Sequence, residues 1–431
     1  MNHLAALTPL RHPSFRLLFA GQLVSDLGDW LDFLALVVLI VYQWNLGAVA
    51  LAALSVAMFL PRALVAPVAG VWADRWSRKW LMVGCDLIRA AIVLSLVWAG
   101  ELWIVLGLVF AKGAFSGIFF PARQATLAAS VPAGDLLAAN ALSQLSTQVT
   151  KVVGPALGGL LVATAGPRSA FAVDAISFAI SASFLVRLPD FATLPPPTTA
   201  EPSRFLASLR DGVAHVLRVG LLRAAILGNT AALLVVFAYD SLFPLAVRDL
   251  GVNEALLGGL LGSIGLGTTM GALAVGQWGS RKPALLIMGA GQIGVGALVA
   301  ALGAAVQNQV TAPPVFLLFF VLLMGVGAAA MFVPYMYAVQ SETPPNLMGR
   351  VMGAAHSLET AVQLLAPPIG AAIAQVWGVG FLFAASGASL VAIGLSLIAA
   401  NSRTHSGLDK PRGEPNPSGA TPRPGTLRGS P

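Results

Sequence analysis

Residues 70–79 read Gly70-Val71-Trp72-Ala73-Asp74-Arg75-Trp76-Ser77-Arg78-Lys79. Four charged side chains within six residues separate two apolar runs, 48–71 and 79–100. Each run is long enough to cross about 30 Å of hydrocarbon as a helix. A short charged island between two such runs is a loop at a membrane face, joining antiparallel neighbours. Upstream and downstream the pattern repeats: 15–43, 48–71, 79–100, 103–129, 136–164 and 168–187, then 221–248, 254–279, 284–306, 313–340, 350–376 and 379–400. That is six spans, a break, and six more. With no water in the bilayer to satisfy the backbone, spans must be helices or a closed barrel, and runs this long are helical. The expected fold is an all-α polytopic membrane protein of twelve transmembrane helices.

Composition agrees. The chain has 431 residues, of which 57% are apolar and only 10% charged. Soluble domains carry about 25% charged residues, so a soluble fold, extended disorder and a secreted disulfide scaffold are all disfavoured. The single Cys85 excludes an intrachain disulfide and a CxxC metal site. No HExxH, nucleophile elbow or phosphate loop is present, so no enzyme is expected, and nothing calls for a cofactor or a metal. The first run contains Asp26, Asp29 and Asp32, unlike an uninterrupted signal-peptide core, and reads as an uncleaved first helix.

The net charge of +7 has a topological explanation. With the amino terminus inside, the inner loops and tail receive nineteen of the 25 basic residues, beginning with Arg11, Arg16, Arg75, Arg78 and Lys79 and counting Arg123. The outer loops receive only Arg168 and Arg248, while Arg62, Arg89, Lys112 and Lys151 fall within spans. The excess of basic residues on one side predicts both termini in the cytoplasm of a bacterial-type inner membrane. No nucleic-acid partner is needed to explain the charge.

The break divides the chain into an amino-terminal six-helix bundle (1–187), a linker (188–220), a second bundle (221–400) and a tail (401–431). Pro189, Pro195, Pro196, Pro197 and Pro202 break helix in the linker. Phe205, Leu209, Val213 and Val216 then share one face of an amphipathic segment suited to the inner leaflet. The tail, rich in Pro, Gly, Ser and basic residues, is expected to be disordered. Landmarks recur between the halves. Phe120-Pro121, Pro132 and the Gly154-Pro155 region are matched by Val333-Pro334, Pro345 and Pro367-Pro368, and Gly70-Val71-Trp72 by Gly276-Gln277-Trp278. Two halves of equal topology imply parallel repeats about an axis along the membrane normal.

Residues 70–79 resemble the signature loop of the major facilitator superfamily, Gly-x-x-x-Asp-Arg-x-Gly-Arg-Lys, with Ser77 replacing its Gly. The resemblance spans roughly residues 10–400. It implies transport of a small molecule by alternating access, by a monomer in the lipid bilayer. The conserved-type positions Gly70, Asp74, Arg75, Arg78 and Lys79 would form a gating loop, with Asp74 meeting the helix that starts at Gly349–Met352. Gly154, Pro155, Gly158 and Gly159 resemble the core of the motif of drug:proton antiporters, which implies proton-coupled efflux. Pro121-Ala122-Arg123-Gln124-Ala125 and Leu347-Met348-Gly349-Arg350-Val351 are similar to the macrolide-efflux and enterobactin-exporter branch. That leaves three cargoes open: drugs, an endogenous metabolite such as a siderophore, or lipid. A sensor or scaffold without transport is the remaining class.

Ionisable groups inside a span cost about 2.5–3.5 kcal/mol each on insertion scales and so mark function. Asp26, Asp29, Asp32, Asp240 and Glu359 are the candidates for carrying protons. Arg62, Asp86, Arg89 and Lys112 are their candidate charge partners, with Arg62 expected beside Asp26 at similar depth and Asp86 beside Arg89 at i,i+3. Asp174 is read as a carboxylate suited to a helix dipole near the outer face. The resemblance places the helix-one aspartates, Lys112 and Asp240 near the transport path. Met331, Phe332, Tyr335, Met336 and Tyr337 are candidate lining for an apolar substrate cavity.

Overall fold

A computed structural model of the chain describes residues 5–191, 210, 212–279 and 282–406. Twelve long helices dominate. In chain order they are α1 (Pro13–Val38), α2 (Ala48–Arg75), α3 (Arg78–Leu96), α4 (Leu102–Ala129), α5 (Leu136–Ala165), α6 (Pro167–Val186), α7 (Gly220–Asp240), α8 (Glu254–Trp278), α9 (Ala284–Gln307), α10 (Pro314–Glu342), α11 (Pro345–Trp377) and α12 (Val379–Ser406). No strand occurs among the described residues. Ten of the twelve are apolar enough along 18 residues to cross a membrane on composition alone. The other two are α1 and α3, and both carry the charges that matter below: three aspartates in α1, and Asp86 with Arg89 in α3.

The helix ends follow local chemistry. Pro occupies the first turn of α1, α6, α10 and α11, where its missing N–H costs nothing. Ser77 caps α3, accepting from the Trp80 amide, and donates to Asp190 Oδ1 at 2.8 Å. The residue that departs from the signature pattern therefore acts as a helix cap. Gly166 and Gly378 sit at positive φ between α5 and α6 and between α11 and α12, closing two equivalent corners of the repeat. The expected span 221–248 is not continuous. α7 stops at Asp240, and a short helix, Phe243–Asp249, restarts with Pro244 in its first turn. The first half of the proposed amphipathic linker helix and the tail beyond Ser406 lie outside the described residues.

The packing repeats. Within the amino-terminal half, α1 packs on α5 and α6, α2 on α4, and α3 on α4 and α6. Within the other half, α7 packs on α11 and α12, α8 on α10, and α9 on α10 and α12. Adding six to each number of the first set yields the second. The halves meet along two seams, α5 with α8 and α2 with α11, which the same operation exchanges.

The start of α1 and the end of α12 lie at one end of the bundle, termed here the terminal end. The opposite, far end has a core common to both halves: Leu34, Ile40 and Leu51 cluster with Leu242, Leu257 and Val299. At the terminal end the core is split. Phe15, Met82 and Phe119 form one cluster, and Leu222, Met288 and Val339 form another. The halves are thus joined at the far end and separate at the terminal end. Polar contacts reinforce the far-end closure. The Arg248 guanidinium donates to the Val41 carbonyl at 3.1 Å and to Asn45 Oδ1 at 2.8 Å, and the Tyr42 hydroxyl donates to the Val252 carbonyl at 3.0 Å.

The α5–α8 seam depends on glycine. A Cβ at Gly258 would overlap the Pro155 carbonyl and Gly159, and one at Gly262 would lie 2.9 Å from the Val152 carbonyl. Gly258→Leu is expected to lower the melting temperature of the purified protein markedly. Gly276→Leu, where a Cβ meets nothing within 4 Å, is expected to leave it unchanged.

Candidate functional site

The site is organised by Lys112, in the middle of α4. The next residue, Gly113, lets α4 press against α2: a Cβ there would lie 2.6 Å from Pro61 Cγ. Lys112 is only 8% exposed. Its ammonium contacts three carboxylates, Asp32 at 2.5 Å, Asp29 at 2.7 Å and Asp174 at 3.2 Å. Asp29 and Asp32 come from α1, three residues apart and on adjoining faces. Asp174 comes from α6, which lies behind α1. It reaches the lysine past Gly28, where any Cβ would clash with Asp174 and Ser177. The Ser177 hydroxyl donates to the other Asp174 oxygen at 3.0 Å.

A second charged pair backs the first. Asp86 and Arg89 of α3 form the expected i,i+3 ion pair, fully buried. The Arg89 guanidinium lies between two aromatic rings, 4.3 Å from the Phe119 centroid and 4.4 Å from that of Phe178. The Phe178 ring also faces Lys112 Nζ at 5.3 Å. One ring thus contacts both cations, and its negative face favours each.

The cluster opens into a cavity of about 840 Å³ between the halves. Asp26, Asp29, Asp32, Arg62, Lys112, Arg123 and Lys151 line it from the amino-terminal half, and Asp240 from the other. Asp174 stays behind, fully buried, whereas the Asp29 side chain is 38% exposed. The three carboxylates round Lys112 are therefore unequal: Asp174 is shielded and Asp29 reaches the cavity.

Several expectations need correction. Asp26 and Arg62 do not pair. Asp26 accepts from Gln22, and Arg62 has no ion pair among the described residues. α1 and α2 are not packing neighbours: α1 packs on α5 and α6, and α2 on α4 and α11. Asp174 is not a dipole-capping surface group. α6 begins at Pro167, so Asp174 is two turns inside the helix and faces α1. Arg123, assigned to an inner loop, lies within α4 and lines the cavity. Glu359 does not line it. It accepts from the Tyr335 hydroxyl at 3.4 Å and lies 3.8 Å from His356 Nδ1. Nor do Met331, Phe332, Tyr335, Met336 or Tyr337 line it. Met331 and Tyr335 are buried in the apolar clusters and Met336 packs against one, because α10 spends that face on α7, α8 and α9, while Phe332 and Tyr337 are exposed.

The remaining motifs are structural neighbours of the site. Gly154 lies under Trp30, Gly158 under Leu31 and Leu34, and Gly159 against α8. Pro155 offers its carbonyl to the same seam. Of the signature loop, Arg78 is buried and Lys79 lies 5.2 Å from the Trp80 ring. The surroundings of Gly70 and the side chains of Asp74 and Arg75 lie outside what the structure describes. One lining feature went unread in the sequence. Asn140, Ser143, Gln144, Thr147 and Lys151 all reach the cavity from α5, and their i, i+3, i+4, i+7, i+11 spacing was legible as one polar helix face.

Twelve helices in two six-helix repeats round a charged central cavity define a membrane transporter. The chain matches the family model of the Major Facilitator Superfamily over residues 18–367 and belongs to that family. It is 31% identical over 381 residues to the MFS-type transporter YfiS of Bacillus subtilis (strain 168), covering 88% of this chain and 91% of that one. It is 26% identical over 403 residues to macrolide efflux protein A of Streptococcus pyogenes, with 88% and 94% covered. The enterobactin exporter EntS of Salmonella typhimurium (strain LT2) is 28% identical over 408 residues, with 90% and 92% covered. The fold is similar to that of a POT family transporter solved with 5-aminolevulinic acid, with a TM-score of 0.72 at 13% identity over 90% of this chain and 96% of that one.

Removing the central cation tests the cluster. Lys112→Met leaves three carboxylates without their counter-ion, two of them, Asp32 and Asp174, buried, a loss of about 3–5 kcal/mol by analogy with other broken buried pairs. The folded yield and melting temperature are expected to fall sharply. Adding Asp174→Asn to that variant is expected to restore part of the loss.

Proposed function

We propose that the chain is a proton-driven exporter of amphiphilic small molecules that works by alternating access in a bacterial inner membrane. The observation that carries this reading is the Lys112 cluster: three carboxylates share one ammonium, and one of them, Asp29, opens to the central cavity. With all three ionised, the cluster holds a surplus of two negative charges. Like charges so close in a low-dielectric site repel strongly, and a proton taken up at Asp29 or Asp32 relieves that repulsion. Lys112 then keeps Asp174 as its resident partner, so the site stays organised in both protonation states. Exporters of macrolides and of enterobactin among the relatives support the outward direction of transport.

The distribution of basic residues supports placing the terminal end in the cytoplasm. The state described here is then inward-open, with substrate entering from the cell interior. Protonation from outside, after the far end opens, would reset the cycle. The resemblance of residues 70–79 to the signature loop supports a latch role for that loop, closing the terminal end in the other orientation. Export of an endogenous metabolite is the second reading, and the similarity to EntS favours it. A drug-sensitivity panel compared with metabolite secretion in a deletion strain separates the two.

Reconstitution tests the proposal directly. In proteoliposomes, substrate addition is expected to drive proton movement across the membrane. Asp29→Asn should abolish pH-gradient-driven efflux while leaving expression and melting temperature close to wild type. Full coupling in that variant would remove Asp29 from the mechanism.

A further inference from the structure

The two walls of the cavity differ in chemistry. The carboxy-terminal wall is mostly apolar, with Phe237, Pro244, Leu261 and Ile264 facing inward. The amino-terminal wall is mixed: Trp30, Phe33, Phe59 and Phe120 line it, and the cavity's charged side chains are concentrated there. Six of its side chains, Arg62, Arg123, Gln124, Ser143, Gln144 and Lys151, line the cavity and have no hydrogen bond or ion pair among the described residues. They come from α2, α4 and α5. A Cβ at Gly117 would lie 3.3 Å from the Arg62 Cα, so Arg62 and the polar end of α4 share one corner.

This hydrogen-bonding capacity is weighted toward donors. Arg and Lys only donate, while the two Gln amides and the Ser hydroxyl can donate as well as accept. The lining is also balanced in charge: Asp26, Asp29, Asp32 and Asp240 stand against Arg62, Lys112, Arg123 and Lys151. With Asp174 behind Lys112 the region carries at most one net negative charge, so the unpaired donors weigh more than a net field in selecting the ligand. A ligand entering the cavity displaces the water that solvates the amino-terminal wall. If it brings no acceptors, those donors are left unpaired, and each unmade bond counts against binding. Its opposite face must be apolar to match Phe237, Leu261 and Ile264.

We propose that the cavity selects amphiphiles with one oxygen-rich edge and one apolar face, with Arg123 and Gln144 as direct ligand contacts, and that it discriminates against flat lipophilic cations. The proposal rests on the transporter reading above but names the substrate class.

Binding and transport are measured separately so that the two ideas fail separately. Wild-type protein in lipid nanodiscs is titrated with two dansyl-tagged probes of equal alkyl length, one ending in maltose and the other in trimethylammonium. Fluorescence anisotropy is corrected against empty nanodiscs. The maltoside is expected to bind at least tenfold more tightly. Arg123→Leu and Gln144→Leu should each weaken it by about 5- to 50-fold, in line with the cost of unmatched polar groups, and change the ammonium probe less than twofold. Gln148→Leu, exposed on α5 but outside the cavity lining, serves as the control and should change neither. Equal or tighter binding of the ammonium probe, equal loss of both probes in the variants, or no specific maltoside binding overturns the proposal. Selective maltoside binding without flux of any compound in proteoliposomes would overturn the transporter reading alone. Gradient-driven export of cations without maltoside preference would overturn the substrate class alone.

Discussion

The ammonium of Lys112 is the point on which the polar interior depends. Two helices, α1 and α6, approach it with three carboxylates, and the packing carries the mark of that convergence. Gly28 is small because Asp174 must pass it, and Gly113 is small because α4 must press on α2 at that level. The Phe178 ring lies against both Lys112 and Arg89. A charge buried in apolar surroundings is costly unless paired and hydrogen-bonded. Here the pairing ties α1, α4 and α6 into one unit, with α3 joined through Arg89. The amino-terminal half therefore holds a rigid electrostatic centre, and the other half contributes Asp240 and a largely apolar wall to the cavity.

That division of labour sits on an almost symmetrical scaffold. The contact pattern of α1–α6 recurs in α7–α12, and the two seams between the halves are related in the same way. Sequence has diverged on top of this symmetry. The α5–α8 seam is built from glycine meeting proline and glycine, backbone against backbone. Such a seam tolerates little intrusion, yet its small residues leave few interlocking side chains to resist a change of angle. Equal topology with unequal chemistry allows one half to carry charge while the other offers an apolar wall.

Much of this was legible from the residues. The helices fall close to the apolar runs, because a spanning helix must satisfy length and composition together. The intramembrane charges could be enumerated because they are rare. Their partners could not be read, since pairing depends on which helices touch. Sequence order suggested α1 beside α2 and hence Asp26 beside Arg62. The fold instead sets α6 behind α1, and Asp174 becomes the third partner of Lys112. The break after Asp240 was also missed, although Pro244 marks it. The aromatic and Met-rich stretch of α10 was read as cavity lining, and it is mainly packing surface. An apolar helix face looks the same to both readings until its neighbours are known. The polar face of α5 was the opposite case, a periodic signal present in the sequence and left unused.

The joined core at the far end and the split cores at the terminal end also carry a thermal consequence. Opening the far end would expose Leu34, Ile40, Leu242, Leu257 and their neighbours. Exposure of apolar surface to water raises heat capacity, so the equilibrium between the two orientations is curved in temperature. Apolar closure weakens on cooling, and the far-end closure is the apolar one. The resting orientation is thus itself a function of temperature. Transport rates compared across temperatures report a shift in resting population as well as a change in barrier height.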